Sequence, residues 1–133
     1  MTRKALGDTI QKRREVNKTL EPNELAHLIV NLVSDKKGAD ITLLDTRAVS
    51  AIADYLVIAT GESDRQLNAI ADDIQKELKQ YRILPLGVEG SPESGWKLLD
   101  YNSVIVHLFS PALRDYYLIE NVHENTPVVV KMP

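Results

Sequence analysis

Hydrophobic residues recur along this chain at two spacings, and each spacing predicts one kind of element. A repeat of three and four positions after Pro22 predicts an amphipathic helix, which Gly38 ends. The same repeat predicts a second helix over about residues 64–80, and Pro111 begins a short last helix through about Leu118. Three helices are therefore expected.

Shorter apolar runs between these helices predict strands. The run Tyr55–Thr60 is apolar nearly throughout, which is typical of a strand covered on both faces. Tyr101-Asn102 joins the last two predicted strands, because Asn tolerates the positive φ of a two-residue hairpin. Residues 127–133 are either an extra strand or a loose tail. The predicted strands span residues 40–45, 55–60, 83–88, 96–100 and 103–109, with a Gly-, Ser- and Pro-rich loop over 89–95.

The order of these elements, α-β-β-α-β-β-β-α, predicts a single α/β domain with a mixed central β-sheet flanked by helices. Its 133 residues and 44% hydrophobic content suffice for one core. The chain has no Cys, which excludes disulfides, thiolate zinc ligands and thiol nucleophiles and fits a cytoplasmic protein. No apolar run approaches the roughly 20 residues of a membrane helix, and the first residues lack a secretory signal. No membrane association is therefore expected.

Charge is distributed unevenly between the start of the chain and the rest. Residues 1–20 hold six basic and two acidic side chains, a net charge of +4, so the total of −3 leaves −7 for the remainder. An acidic body suits a basic protein partner, and no direct DNA binding is expected. The basic extension is either a solvated, disordered tail or a segment that contacts phosphates in a partner.

The segment Gly61-Glu-Ser63 lies between a predicted strand and a predicted helix, where hydrolases seat a nucleophile and helix N-termini hold phosphates. A nucleophile elbow requires Gly two positions after the Ser, but Arg65 stands there. Ser63 and Gln66 instead match a capping box, in which each side chain satisfies a backbone N–H at the helix start. We interpret the segment as a helix start.

Acidic and histidine residues show no catalytic or metal-ligand spacing. A nucleotidyltransferase needs two acids on one strand, separated by one residue so that both face the same metal. Asp72 and Asp73 are adjacent in a predicted helix, and we interpret them as solvated surface. His27, His107 and His123 show no HxxxH or HxxEH spacing. No catalytic residue, metal or cofactor is therefore predicted.

Trp96 and His107 lie on neighbouring predicted strands, and each has two interpretations. Trp96 shares a strand face with Leu98 and Asp100, either as core plus a turn cap or as an aromatic anchor beside a polar group in a protein interface. His107 is either a hydrogen-bonded, half-buried histidine or part of a binding surface. Periodicity leaves both alternatives open.

Several short blocks of this sequence, taken together, resemble the Iojap family of ribosomal silencing factors, RsfS. They occur in the family's order between about residues 25 and 122. The blocks are Ala53–Gly61, Ser63–Gln66, Ala69–Asp72, Pro85–Gly90, Trp96–Tyr101, Val104–His107, Arg114–Tyr117 and Glu120. The resemblance implies a fold like a nucleotidyltransferase core that lacks the catalytic acids.

The resemblance also implies a non-enzymatic factor that binds protein fourteen of the large ribosomal subunit. Such a factor occupies the face where the small subunit joins, and so represses translation under nutrient limitation. In this interpretation Trp96 and Tyr101 are anchors that lose water on binding, while Asp100 and Glu120 pair with basic groups. The partner-binding residues that the resemblance implies are Trp96, Asp100, Tyr101, His107, Tyr117 and Glu120.

The sequence departs from the family pattern at two places. Asn102-Ser103 replaces the usual Gly-Asp, and Val122-His123 replaces a frequent Leu-Trp after the last helix. We expect a basic extension over 1–20, an RsfS-like domain over 21–125 and a C-terminal tail over 126–133. The alternative function is a nucleotide-binding protein or residual nucleotidyltransferase. An exposed apolar hairpin would also allow a homodimer.

Overall fold

Three helices and six strands lie within residues 20–117 and 126–133, the parts of the chain that the computed structural model describes. Their order follows the predicted order, with one strand added at the end. The helices are α1 (Pro22–Asp35), α2 (Asp64–Gln80) and α3 (Pro111–Tyr117). The strands are β1 (Ala39–Asp45), β2 (Tyr55–Thr60), β3 (Gly87–Ser91), β4 (Trp96–Asp100), β5 (Val104–Phe109) and β6 (Val128–Met132).

The strands form one sheet in the order β3-β4-β5-β2-β1-β6. β2 and β5 are parallel and the other neighbouring pairs are antiparallel, so the predicted mixed sheet is confirmed. All six residues of β2 are buried, as its apolar sequence predicts. Asn102 has a φ of 70°, the conformation expected in the turn between β4 and β5.

Helices α1 and α2 cover one face of the sheet, and the larger core lies between them and the strands. The opposite face carries a smaller buried cluster of Leu44, Leu56, Ile58 and Phe109. Leu113 of α3 packs against this cluster together with Trp96 and Ile105, which are partly buried. The two sheet faces therefore differ in cover, and the second face leaves more side-chain surface accessible.

Ser63 caps helix α2, as predicted. Its Oγ accepts a hydrogen bond from the backbone N–H of Gln66 at 3.0 Å. The Gln66 Oε1 atom accepts from the N–H of Glu62 at 2.7 Å, one residue before the position that a standard capping box uses. Its Nε2 atom donates to the carbonyl oxygen of Lys37 at 2.8 Å, so one side chain joins the start of α2 to the segment after α1.

The third strand differs from the prediction. The expected strand over residues 83–88 lies instead at Gly87–Ser91, and the expected loop over 89–95 contains the rest of this strand and a 3₁₀ turn at Pro92–Ser94. Pairing with β4 decides the position, because Gly87 lies opposite Asp100 and Ser91 opposite Trp96. Leu84 and Leu86 belong to the predicted strand, but they lie outside β3 and are 64% and 72% exposed.

Residues 128–132 form the edge strand β6 beside β1. This pairing decides between the two interpretations of the last residues in favour of a strand. Prolines flank the strand at positions 127 and 133. Pro127 lacks a backbone N–H and cannot donate to the ladder, but its carbonyl oxygen accepts a hydrogen bond from the backbone N–H of Asp45 at 3.0 Å, so pairing with β1 begins at this residue.

Asp72 and Asp73 lie on helix α2 and do not form part of a metal-binding group among the described residues. Asp72 is exposed, and the Asp73 Oδ1 atom lies 3.9 Å from Nζ of Lys36. Among residues 20–117 and 126–133, no group of three His, Asp or Glu side chains is arranged to hold a metal ion. None of the helices in this part of the chain is both long and apolar enough to cross a membrane.

Candidate functional site

The sheet face opposite α1 and α2 presents side chains from β4 and β5. Trp96 lies opposite Phe109, Leu98 opposite His107, and Asp100 opposite Ile105. Alternation along each strand brings these six side chains to one face. All except Phe109, which is buried, are half-buried. We call these six residues the β4–β5 face.

Three rings lie in a row on this face. The Trp96 and His107 ring centroids are 6.3 Å apart with an interplanar angle of 27°. The His107 and Phe109 centroids are 5.7 Å apart with an angle of 4°. Such distances lie within the range of favourable aromatic contacts. Packing of His107 between two rings therefore limits the movement of Trp96 and Phe109 as well as its own.

A hydrogen bond joins Trp96 to His107. The indole Nε1–H of Trp96 donates to Nδ1 of His107 at 3.2 Å. Because Nδ1 must offer a lone pair, this arrangement requires the tautomer whose proton is on Nε2. The indole N–H is therefore satisfied within the protein, and Trp96 offers a partner its apolar ring surface.

Gly90 allows Trp96 to lie this close to β3, and sequence reasoning did not single it out. Its φ is +80°, and a Cβ atom there would collide with the Trp96 backbone carbonyl and approach Cε3 of its ring to 2.8 Å. Any other residue would displace the strand or the ring. The sequence predicts a loop at this position, so the signal becomes visible only once Gly90 is known to lie inside β3, where a Gly often marks close approach of another backbone.

Asp100 stands at the end of the β4–β5 face and also holds the hairpin turn. Its Oδ1 atom accepts a hydrogen bond from the backbone N–H of Asn102 at 2.8 Å. The half-buried carboxylate therefore combines two of the proposed roles, a turn cap and a negative charge beside an aromatic surface.

Tyr101 lies away from the β4–β5 face, which corrects the expectation that it and Trp96 form one contact surface. Its side chain is 5% exposed and belongs to the core beneath α1 and α2. Burial raises the pKa of Tyr101 to about 12, and its hydroxyl has no hydrogen-bond partner among the residues that the structure describes. Tyr101 therefore supports the hairpin from the core side.

The remaining predicted site residues lie at or beyond the end of α3. Tyr117 is the last residue of that helix, and its side chain lies outside the described part of the structure. Glu120 and His123 fall outside the described residues. His27 is exposed on α1, and its Nδ1 atom lies 2.7 Å from the carbonyl oxygen of Asn23. The structure therefore brings together Trp96, Asp100 and His107.

Arg114 is a buried charged residue to which the sequence assigns no role. It is 7% exposed, and its guanidinium donates to the hydroxyls of Thr60 and Thr42 at 3.0 Å and 3.3 Å. These contacts join α3 to the neighbouring strands β2 and β1. Arg114 also lines a cleft of about 580 Å³ with Asp40, Asp115 and Lys131, so charges of both signs surround that cleft.

Replacing Tyr101 by Phe tests its placement in the core. At neutral pH we expect an unchanged or slightly higher free energy of unfolding, because the variant lacks a buried, unpartnered hydroxyl. Between about pH 10 and 12 the unfolded phenol ionises before the folded one does, so rising pH destabilises the wild type by about 1 kcal/mol at pH 11. Below pH 10 the phenol is neutral in both the folded and the unfolded state, and this loss of stability is absent. Tyr101→Phe has no ionising group at this position, so it lacks the loss at every pH.

Urea unfolding of both proteins at about pH 8 and pH 11 measures this difference. Other titrating groups affect the two proteins equally, so the comparison isolates Tyr101. An identical loss of stability in Tyr101→Phe and wild type would show that the phenol is not buried as described.

Comparisons with known proteins show the family and the fold of this chain. Residues 19–132 match the profile of a family described as ribosomal silencing factor during starvation, RsfS. The chain is 39% identical over 101 residues to ribosomal silencing factor RsfS of Chromobacterium violaceum, covering 76% of this chain and 83% of that protein. It is 36% identical over 106 residues to RsfS of Halalkalibacterium halodurans, covering 80% and 91%. A crystal structure of a Chromobacterium violaceum protein is similar with a TM-score of 0.74 and 38% identity, covering 77% and 86%.

Proposed function

Because the chain belongs to the RsfS family of ribosomal silencing factors, we propose that it binds protein fourteen of the large ribosomal subunit and sterically blocks joining of the small subunit. The family consists of ribosome-associated regulators of translation. Repression of translation follows from this mechanism, since separated subunits do not translate, and the family description suggests that it acts during starvation. The mechanism requires affinity and position, and no chemical step.

The observation that carries the proposal is the β4–β5 face. Trp96 is half-buried, braced by His107 on one side and by Gly90 beneath it, so its ring is held in place before binding. A rigid aromatic side chain loses little conformational entropy when a partner covers it. Trp is also the residue type most enriched among interface positions that dominate affinity. Trp96 is therefore the proposed anchor.

Acidic side chains border this anchor. Asp100 lies on the same face, and Glu89 of β3 lies opposite Leu98 with its side chain exposed. Two carboxylates beside an apolar surface favour a partner that presents basic groups around an apolar patch. The net charge of −7 over residues 21–133 adds long-range attraction toward a basic partner. Charge thus orients the encounter, while Trp96 and its apolar neighbours provide most of the buried area.

The structure offers less support for catalysis and for a homodimer. Ser63 is engaged as a helix cap, and the adjacent acids of α2 do not converge, so no residue of the described part favours catalysis. We propose that the protein is not an enzyme and needs no cofactor. A homodimer through the β4–β5 face would compete with the ribosome for the same residues, so dimerisation would lower the apparent affinity.

Sedimentation of purified ribosomal subunits tests the proposal. Large and small subunits are mixed with and without the protein at a magnesium concentration that permits joining. We expect the protein to travel with the large subunit and the fraction of joined ribosomes to fall. Joining that proceeds unchanged while the protein occupies the large subunit would contradict the steric mechanism. Absence of the protein from the large-subunit peak would contradict the proposed partner.

A further inference from the structure

We infer that His107 is a positioning residue, which as a neutral hydrogen-bond acceptor fixes the indole of Trp96 in the β4–β5 face, and that a proton on His107 releases the ring and weakens partner binding. This inference rests on the proposed function, because it concerns regulation of the same surface. It makes ribosome binding sensitive to acidification.

The hydrogen bond between Trp96 and His107 has only one possible direction. The indole Nε1–H can only donate, so Nδ1 of His107, 3.2 Å away, must be the acceptor. An imidazolium carries N–H groups on both ring nitrogens and accepts no hydrogen bond. Protonation therefore replaces a donor–acceptor pair by two opposed donors at the same distance.

The surroundings of the His107 ring are partly apolar. His107 stacks between Trp96 and Phe109 and lies between Leu98 of β4 and Ile58 of β2 in the sheet. A neutral imidazole fits this partly apolar position, whereas a charge there requires more solvent or a different ring orientation. Movement of His107 removes the contact that holds Trp96, so the change reaches the proposed anchor directly.

Charged side chains on the same sheet face lie at different distances from His107. Asp100 of β4 is its diagonal neighbour, and Glu89 of β3 lies one strand beyond Leu98. On the other side, the guanidinium of Arg114 from α3 reaches β2 and β1, and Lys131 of β6 pairs with Thr42 at the end of the same row. The face of β2 contributes apolar and hydroxyl side chains. Among the described residues, Asp100 is therefore the carboxylate that adjoins His107 in the strand register, whereas Arg114 binds β2 and β1 and Lys131 lies three strands away.

Fluorescence of the free protein provides the first test. Trp96 is the only Trp in the chain, so its emission reports this contact without a label. Histidine ordinarily changes charge between about pH 5 and 8. Indole emission depends on the groups in contact with the ring, so a change of charge on His107 should alter it. We expect the wild-type emission to follow a single proton titration in this range. A flat profile would overturn the inference.

Two substitutions separate the hydrogen bond from the stacking. His107→Asn supplies an acceptor oxygen near the position of Nδ1 and carries no charge at any pH, whereas His107→Phe retains a ring and removes the acceptor. We expect flat emission profiles for both variants. His27→Asn is the matched control, because His27 is exposed on α1, and its profile should equal that of the wild type. A titration that persists in His107→Asn would contradict the assignment to His107.

Binding to the large subunit provides the second test, at about pH 8 and about pH 5.5. Loss of one hydrogen bond that orders the anchor is expected to weaken wild-type binding roughly three- to tenfold at the lower pH. Between pH 8 and pH 5.5 the affinity of His107→Asn should fall only by the amount that titration of the ribosome itself causes. His107→Phe should bind more weakly than His107→Asn at both pH values. Equal loss in wild type and His107→Asn would overturn the regulatory role.

The two tests separate failure of this inference from failure of the proposed function. If the wild type does not bind the large subunit at pH 8, the proposed partner is wrong. The fluorescence titration then still decides whether His107 holds the ring of Trp96 in a proton-dependent manner. If binding occurs but is insensitive to both the pH and the His107 substitutions, the proposed function stands and the inference is wrong.

Discussion

Replacement of Trp96 by alanine is expected to weaken binding to the large ribosomal subunit by roughly 30-fold or more, equivalent to about 2 kcal/mol. The substitution removes the largest side chain of the β4–β5 face. It also leaves Nδ1 of His107 without the indole donor and opens the space beside Gly90. The expected loss therefore combines lost contact area with a less ordered surface in the free protein.

Two further variants make this expectation specific. Trp96→Phe keeps an aromatic ring but lacks the indole N–H, so its affinity should lie between those of wild type and Trp96→Ala. Ile52→Ala is the matched control for loss of exposed apolar surface, since Ile52 is 78% exposed in the connection between β1 and β2. We expect its binding to equal that of the wild type.

Co-sedimentation over a range of protein concentrations gives the affinities, and thermal unfolding shows that each variant is folded. Trp96→Ala that binds as tightly as the wild type would show that the partner contacts another surface. A parallel loss in Ile52→Ala would show that binding responds to general apolar exposure.

The elements with strong local signals were predictable from the sequence. Helix α2 combines a cap at Ser63 with a continuous apolar stripe, and β2 is apolar throughout, so neighbouring residues alone specify both. The third strand was misplaced, because its ends depend on pairing with β4 rather than on its own composition. Pro85 and the exposed residues Leu84 and Leu86 lie outside the ladder, although they are part of the apolar run.

The candidate site was likewise predictable only where neighbouring residues decide the geometry. Trp96 and Asp100 share a face because they lie four positions apart on a strand, and a period of two suffices to predict that. Tyr101 was grouped with them through the family resemblance, although the residue after Asp100 points to the other face. The contacts of Trp96 with His107 and Gly90 depend on cross-strand register, which adjacent residues in the sequence do not determine.

Arg114→Ala is expected to lower the free energy of unfolding by about 3 kcal/mol. Two hydrogen bonds from a charged donor join α3 to Thr60 and Thr42, and hydrogen bonds to charged groups contribute about 1.5–3 kcal/mol each. The substitution also leaves both buried hydroxyls without the guanidinium and removes the packed stem of the side chain. Urea unfolding at neutral pH measures the loss.

Arg114→Met distinguishes the two sources of this stability. Methionine retains an apolar stem of similar length, and replacement of a buried charge by a packed apolar group often costs little. If the stem matters most, Arg114→Met should recover at least half of the stability that Arg114→Ala loses. If the hydrogen bonds matter most, the two variants should be destabilised alike. Asp115→Ala, an exposed neighbour on the same helix, should change stability by less than about 0.5 kcal/mol.

The contacts of Arg114 hold α3 against the sheet face that carries the proposed site. Its helix contributes Leu113 to the cluster that contains Phe109, and Phe109 stacks against His107. If α3 packs less firmly, the change is therefore transmitted to Trp96 through the Phe109–His107 and His107–Trp96 ring contacts. Arg114→Ala should consequently shift the Trp96 emission of the folded protein, whereas Asp115→Ala should not. An unchanged emission together with the expected loss of stability would show that α3 stabilises the sheet without ordering the β4–β5 face.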